Sequence, residues 1–332
     1  MRLVRCLLLC AVACSAKDDD SADNTDKNLA SDGPWQLITD EIEGGVLLGA
    51  WSDGPTLRIV GGDLGGGSGL MVHGDADELC VEQDVTERAL WWIHGDQDGE
   101  WTAVGEAGTV LRSSGGVRTR MDAPTDATLF GVHVDADQTW VAGGHVGSGE
   151  NNGEIWRHDG EQWHAVATDL PHVLFKVWGP WFVGQDIAYR LDAETEALES
   201  FSVDGRLLTV RGATFDNMWA VGGLVTPLIL RFNGEDFEPV STSGLSGSVN
   251  GVFTSAEEDV WIGGNYGMTA RRTDDSWEFP SFPLTSDHLH AVWRHQDSTW
   301  WVGGDLFNSG ANHGTIIRYS EDGRVPLLTN CE

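Results

Sequence analysis

The chain has 332 residues, with 20 Lys and Arg against 52 Asp and Glu, a formal net charge of −32 at pH 7. A field of that sign opposes a phosphate backbone at long range, which excludes nucleic acid as a partner. Forty-three glycines and sixteen tryptophans suit short strands, tight turns and large side chains packed between sheets.

The opening stretch MRLVRCLLLCAVAC places Arg2 and Arg5 before a short apolar run, Cys6 to Ala13, too short to span a bilayer as a helix. Ala11, Val12, Ala13 and Cys14 resemble a bacterial lipobox, which implies cleavage after residue 13 and a lipid on Cys14. The alternative is an ordinary secretory signal cut near Ala16. Ser15 follows the lipidation candidate, and the lipoprotein sorting rule that the resemblance implies sends such a chain to the outer membrane. Residues 14–33 are polar and acidic, with too few large apolar groups to offset the entropy of ordering, and are expected to form a disordered tether of roughly 25 Å reach. With Cys6 and Cys10 in the signal and Cys14 acylated, Cys80 and Cys331 are left as an even pair in an oxidising compartment. A disulfide between them would tie the two ends of the folded unit together; two unpaired buried thiols are the alternative.

From Trp51 to Gly304 one pattern recurs seven times, its second strand ending in LRIVGG, WTAVG, WVAGG, WFVG, WAVGG, WIGG and WWVGG. The markers Val60, Val104, Ala142, Val183, Val221, Ile262 and Val302 are spaced 44, 38, 41, 38, 41 and 40 residues apart. A steady period near 40 with strand chemistry predicts an all-β, seven-bladed β-propeller of four-stranded antiparallel blades over residues 34–332. The third blade reads as TLFGVHV, TWVAGG, GEIWRHD and QWHAVA, separated by acidic or glycine-rich turns. The segment GPWQLITD (33–40) copies the outer-strand pattern ahead of the first inner strand, so the ring is expected to close through an N-terminal outer strand. VPLL (325–328) competes for that place, and both are expected on the last blade or its edge.

The strings WTAVGEAGTVLRSSGG (101–116) and FDNMWAVGGLVTPLILRFNGEDFEPV (215–240) resemble the repeats of bacterial propellers related to the photosystem II assembly-factor and BNR/Asp-box families. The resemblance spans about 290 residues. It implies architecture more than activity, since such propellers serve as scaffolds, glycosidases and receptors. The Asp-box S-x-D-x-G-x-T-W is not kept: the turns read SSGG, HDGEQW, FNGEDF, TDDSW and SEDGR. A sialidase would need a Tyr nucleophile, and Tyr189, Tyr266 and Tyr319 fall away from an inner-strand mouth, where packing is their expected role.

Asp96, Asp98 and Glu100 resemble the start of a calcium loop, and Asp135 with Asp137 and Asp75 with Asp77 and Glu78 put carboxylates at turns. None continues to a bidentate Glu, and such acids commonly satisfy turn amides. No metal ligand set is therefore assigned, calcium remains an alternative, and the eleven scattered histidines indicate no zinc site. Long second-to-third-strand loops in the first, third and seventh copies would gather Asp63, His145, Asn151, Asn152, Asp305, Asn308, Asn312 and His313 on one face. These donors and acceptors suit a ligand or partner; exposed loops that have merely drifted in length would look the same. A second set, Trp51, His94, His133, Trp178, Arg211, Phe253 and Trp293, occupies one position in each inner strand. It would ring the channel mouth or wedge between blades.

These readings combine into a monomeric, non-catalytic binding scaffold for a protein or glycan, secreted or anchored at the cell envelope as an outer-membrane lipoprotein, with no cofactor. The alternatives are a BNR-type glycan hydrolase or lyase, which needs carboxylates converging at the channel mouth, and an assembly factor for a membrane complex, which needs a broad contact face.

Overall fold

The computed structural model describes residues 30–331 apart from 65, 97, 136–137, 147–151, 193, 257–258 and 306–311. The signal, the lipidation candidate Cys14 and most of the tether lie outside the described residues; strand β1 (Ser31–Asp32) already falls within the stretch assigned to the tether.

After β1 comes β2 (Trp35–Ile42). The first sheet then holds β3 (Val46–Ser52), β4 (Leu57–Gly62), β5 (Gly69–Gly74) and β6 (Glu78–Thr86). The second holds β7 (Leu90–Gly95), β8 (Trp101–Gly105), β9 (Val110–Ser114) and β10 (Val117–Arg120). The third holds β11 (Thr128–Asp135), β12 (Gln138–His145), β13 (Asn152–His158) and β14 (Trp163–Leu170). Then follow β15 (Leu174–Trp178), β16 (Trp181–Leu191), β17 (Leu198–Thr214), β18 (Asn217–Gly223), β19 (Pro227–Phe232) and β20 (Phe237–Pro239). The chain continues through β21 (Val249–Thr254), β22 (Val260–Gly264), β23 (Thr269–Thr273) and β24 (Ser276–Glu278), and ends with β25 (His288–His295), β26 (Ser298–Gly304), β27 (Gly314–Tyr319) and β28 (Leu327–Asn330).

The described residues form an all-β propeller of antiparallel blades, but in six hydrogen-bonded sheets, which corrects the expected seven. The cause is β17. Its first part pairs with β16 up to Arg206, and its second part, from Leu207, pairs with β18. One uninterrupted strand is thus the outer strand of the fourth repeat and the inner strand of the fifth, and the two repeats share a six-stranded sheet. Gly205, at φ 125°, supplies a left-handed backbone at this joint.

Inner strands β3, β7, β11, β15, β17, β21 and β25 touch in succession, and β25 returns to β3. The circle is also closed by hydrogen bonds: β2 is an outer strand on β27, from Trp35 opposite Tyr319 to Ile42 opposite Gly314. Trp35 stacks 5.0 Å from both Trp301 and Tyr319. VPLL does not share that sheet, contrary to expectation. Instead β28 adds to the edge of the first sheet as a parallel partner of β6, and Cys331 just beyond it forms a disulfide with Cys80.

The core lies between the sheets and is built largely of buried Val, Ile, Leu and Trp. Second-strand tryptophans carry third-strand arginines directly opposite: Trp140 with Arg157, Trp261 with Arg271 and Trp300 with Arg318, guanidinium to ring 5.7, 4.9 and 5.2 Å. Much of the scarce positive charge is thereby placed over indole faces.

Candidate functional site

In every inner strand the pairing skips one residue. Leu48, Trp91, Phe130, Phe175, Leu208, Asn250 and His290 each stand as the extra residue of a β-bulge against the second strand. A bulge re-aims the side chain it carries. These residues line one cavity of about 380 Å3 at the start of the inner strands, together with Thr128, Val146, Lys176, Arg206 and Thr209. Inner-strand starts pair with second-strand ends, as Thr128 does with Gly144, so the cup opens on the face that carries the second-to-third-strand turns.

The cup is aromatic with two basic side chains, Lys176 and Arg206. Trp91 and Phe130 meet edge-on at 4.8 Å, and Phe130 and Phe175 at 5.5 Å. Lys176 Nζ donates to the Phe130 carbonyl at 3.3 Å, and burial holds its pKa well below the ordinary lysine value. The Arg206 guanidinium lies 5.5 Å from the Phe175 ring. Burial brings His290 down to about 3, with His288 and Lys176 adding to the effect, so its imidazole is neutral at pH 7. Among the described residues, Trp91 Nε1 and His290 Nε2 are buried without a hydrogen-bond partner, and no carboxylate lines the cavity. Apolar side chains stand out around the same face: Val146, Leu224, Val225 and Tyr266 are 64%, 67%, 79% and 64% exposed. Tyr266 thus projects from a turn, with one ring contact at 5.2 Å to His288.

Among the described residues, the loop positions singled out in the sequence do not line the cup. Asp63 Oδ1 accepts from Asn312 Nδ2 at 3.3 Å, across the junction of the first and last sheets. His313 Nε2 lies 3.2 Å from Asp287 Oδ2, and the charge of Asp305 acts on His288. His145 stays near Asp126 and Glu154, at 3.6 and 3.7 Å, and Asn152 donates to Asp169 at 3.3 Å. Asn151 and Asn308 lie outside the described residues. Of the acidic turns, Asp75 Oδ1 accepts the amides of Asp77 and Glu78, and Asp96 Oδ1 those of Asp98 and Glu100.

The second set sits three residues further along each inner strand, toward the opposite end of the channel, where its members stack on one another. His94 lies on His133 at 4.6 Å, and His133 meets Trp178 edge-on at 5.1 Å. Arg211 is held between Trp178 and Trp293, 3.8 and 4.2 Å from their ring centres, and Phe253 meets Trp293 at 5.3 Å. Trp293 Nε1 donates to Ser52 Oγ, and Trp51 packs beside Gly95. Burial lowers Arg211 to about 9, which leaves it a cation at neutral pH. Burial also takes His133 down to about 3 and His94 well below its usual value. This end is therefore an aromatic plug around one cation, and the open cup lies at the other.

Sequence reasoning missed Trp91, Phe130, Phe175, Lys176, Arg206 and His290. Their one signal is positional: the bulged residues lie three places before the second set in every copy.

No family model matches the chain, and no curated protein matches it in sequence. Solved structures do match. "YCF48 bound to D1 peptide" superimposes with a TM-score of 0.63 at 14% identity, over 87% of this chain and 98% of that one. YCF48 from Cyanidioschyzon merolae gives 0.62 at 13%, over 87% and 99%. At such identity the likeness establishes the β-propeller fold shared with these proteins.

Proposed function

We propose that the chain is a non-catalytic binding scaffold whose cup-bearing face takes an extended segment of a partner protein. Apolar side chains of that segment enter the aromatic cup, and one carboxylate of it meets Lys176 and Arg206. A single observation carries this reading: each inner strand bulges at the residue that faces the cavity, producing an aromatic wall with two basic side chains and, among the described residues, no acid. Two buried orphan polar atoms, on Trp91 and His290, await partners there, and exposed apolar residues surround the mouth. A similar propeller of known structure was solved with a peptide bound, which supports a protein partner over a glycan.

The test is a fluorescence-anisotropy screen of short peptides that combine apolar residues with one acidic residue. Lys176→Met and Arg206→Met should each weaken the best binder about tenfold or more, as expected for a desolvated charged contact; His145→Ala should not. Binding indifferent to both cation changes would refute the reading.

In the same proposal a lipid on Cys14 holds the propeller at the outer membrane. Labelled fatty acid should then enter the wild-type chain and not Cys14→Ser, which should move to the soluble fraction.

A further inference from the structure

His73 on β5 stands directly opposite Cys80 on β6. Its Nε2 lies 3.7 Å from Cys80 Sγ, 3.4 Å from Cys331 Sγ and 3.4 Å from Glu82 Oε2. The donor atoms of His73, Cys80 and Cys331 all lie within 4.8 Å of one another. We propose that this cluster is a redox-gated site for a thiophilic divalent cation of the zinc class: the disulfide closes it, and reduction opens it.

The donor set is two thiolates and an imidazole, which leaves the fourth position to a water; Glu82 Oε2, 3.4 Å from His73 Nε2, stands outside this group of three donors, and its Oε1 is held by Arg118 at 2.6 Å. Two sulfurs, one imidazole nitrogen and a solvent oxygen in a four-coordinate arrangement match the preferences of zinc. The second argument is that the position of Cys331 does not depend on the sulfur–sulfur bond. Its backbone amide donates to the Val81 carbonyl at 3.0 Å, and β28 is held in parallel register on β6, Thr329 beside Cys80 and Asn330 beside Val81. Opening the disulfide therefore leaves both sulfurs against the same imidazole.

The chemistry balances with a dithiol as reductant. The dithiol gives two electrons and two protons to the disulfide, leaving two cysteine thiols and its own cyclic disulfide. The incoming cation then displaces the two thiol protons to solvent as two metal–sulfur bonds form. In the oxidised chain neither sulfur carries thiolate charge, so the two states exclude each other.

Cobalt(II) is the spectroscopic probe. The purified chain is compared with its disulfide intact and after anaerobic reduction and removal of the reductant. The reduced chain should develop the visible bands of tetrahedral cobalt and a thiolate charge-transfer band, saturating at one ion per chain and bleached by zinc; the oxidised chain should develop neither. His73→Ala should weaken cobalt binding by about tenfold or more and alter the visible bands, Cys331→Ser should cut the charge-transfer band by about half or more, and Cys80→Ser/Cys331→Ser should abolish it. Circular dichroism of a Cys80→Ser/Cys331→Ser variant reports whether the fold outlasts loss of the bridge. A folded reduced chain without cobalt bands, bands unaffected by His73→Ala, or unfolding on reduction would each overturn the proposal.

Discussion

The ammonium of Lys176 lies 3.3 Å from the centre of the Trp92 ring, although β15 and β7 are separated by β11. The side chain reaches across β11 at Phe130, whose carbonyl accepts a hydrogen bond from it. A cation–π contact and one neutral acceptor replace the water shell of an ammonium only in part.

From this follows a stability prediction for Lys176→Met. Burial depresses the folded-state pKa of the amine, so between that value and the ordinary lysine range the unfolded chain binds the extra proton. Stability therefore gains as pH rises through that window, and the cost is present at neutral pH. Lys176→Met should leave stability unchanged or raise it by about 1–2 kcal/mol, flatten its rise at alkaline pH, and weaken binding of acidic peptides about tenfold or more. Urea unfolding at neutral and alkaline pH measures this; a loss above about 1 kcal/mol would make the lysine structural.

Gly131 is what lets β15 approach. A Cβ there would fall 2.8 Å from Val177 N and 2.9 Å from Lys176 Cα, both backbone atoms that cannot swing aside. Gly131→Ala should cost about 1–3 kcal/mol, as overpacking does, and lower the urea midpoint with an unchanged slope. Peptide affinity should fall as well, because Lys176 moves with β15.

The propeller was legible because a 40-residue period of strand chemistry with Trp and Gly at fixed places has few other solutions. Whether two repeats share a sheet was not, because it depends on whether the chain stays extended between Ser202 and Leu207, and neither Asp204 nor Gly205 forbids that. The cup was hidden for a sharper reason. Period-two alternation puts residues three apart on opposite faces of a strand, which would separate Phe130 from His133. The bulge at Phe130 cancels that rule, and no residue type announces it: the bulged position holds Leu, Trp, Phe, Asn and His in different copies. Lys176 and Arg206 were missed because each repeat signal averages over copies, and each cation occurs once at its position.

The imidazoles of the axis should make the protein sensitive to acid. His133 and His290 are both held near 3 in the folded state, against about 6.5 unfolded. Above that value both states are neutral and nothing is lost. As pH falls below it the unfolded chain takes up protons first, and stability drops by roughly 1.4 kcal/mol per pH unit for each group until the folded-state values are reached. His133→Phe keeps a ring against His94 and Trp178 and should remove about one group's share of that slope. Thermal melts between pH 7 and 4 on both proteins would show it, and parallel pH dependence would refute it.

Ring closure can be tested at Trp35, the one residue of β2 stacked on rings of two sheets: Trp301 at 5.0 Å and Tyr319 at 5.0 Å in the last, and Trp261 at 6.2 Å in the sheet before it. It is 3% exposed, and truncating such a side chain costs about 3–5 kcal/mol through lost transfer energy and the cavity left behind. Because β2 is the strand that closes the circle, Trp35→Ala should also loosen β27, with faster amide exchange from Gly314 to Tyr319 than in β8 or β12. Cys80 and Cys331 bridge β6 to the residue after β28, in a different sheet from β2, so the disulfide does not supply the pairing that β2 gives β27. Equal exchange protection of β27 in the two proteins would mean that the last sheet is held by β26 alone, and that the N-terminal strand decorates the ring without closing it.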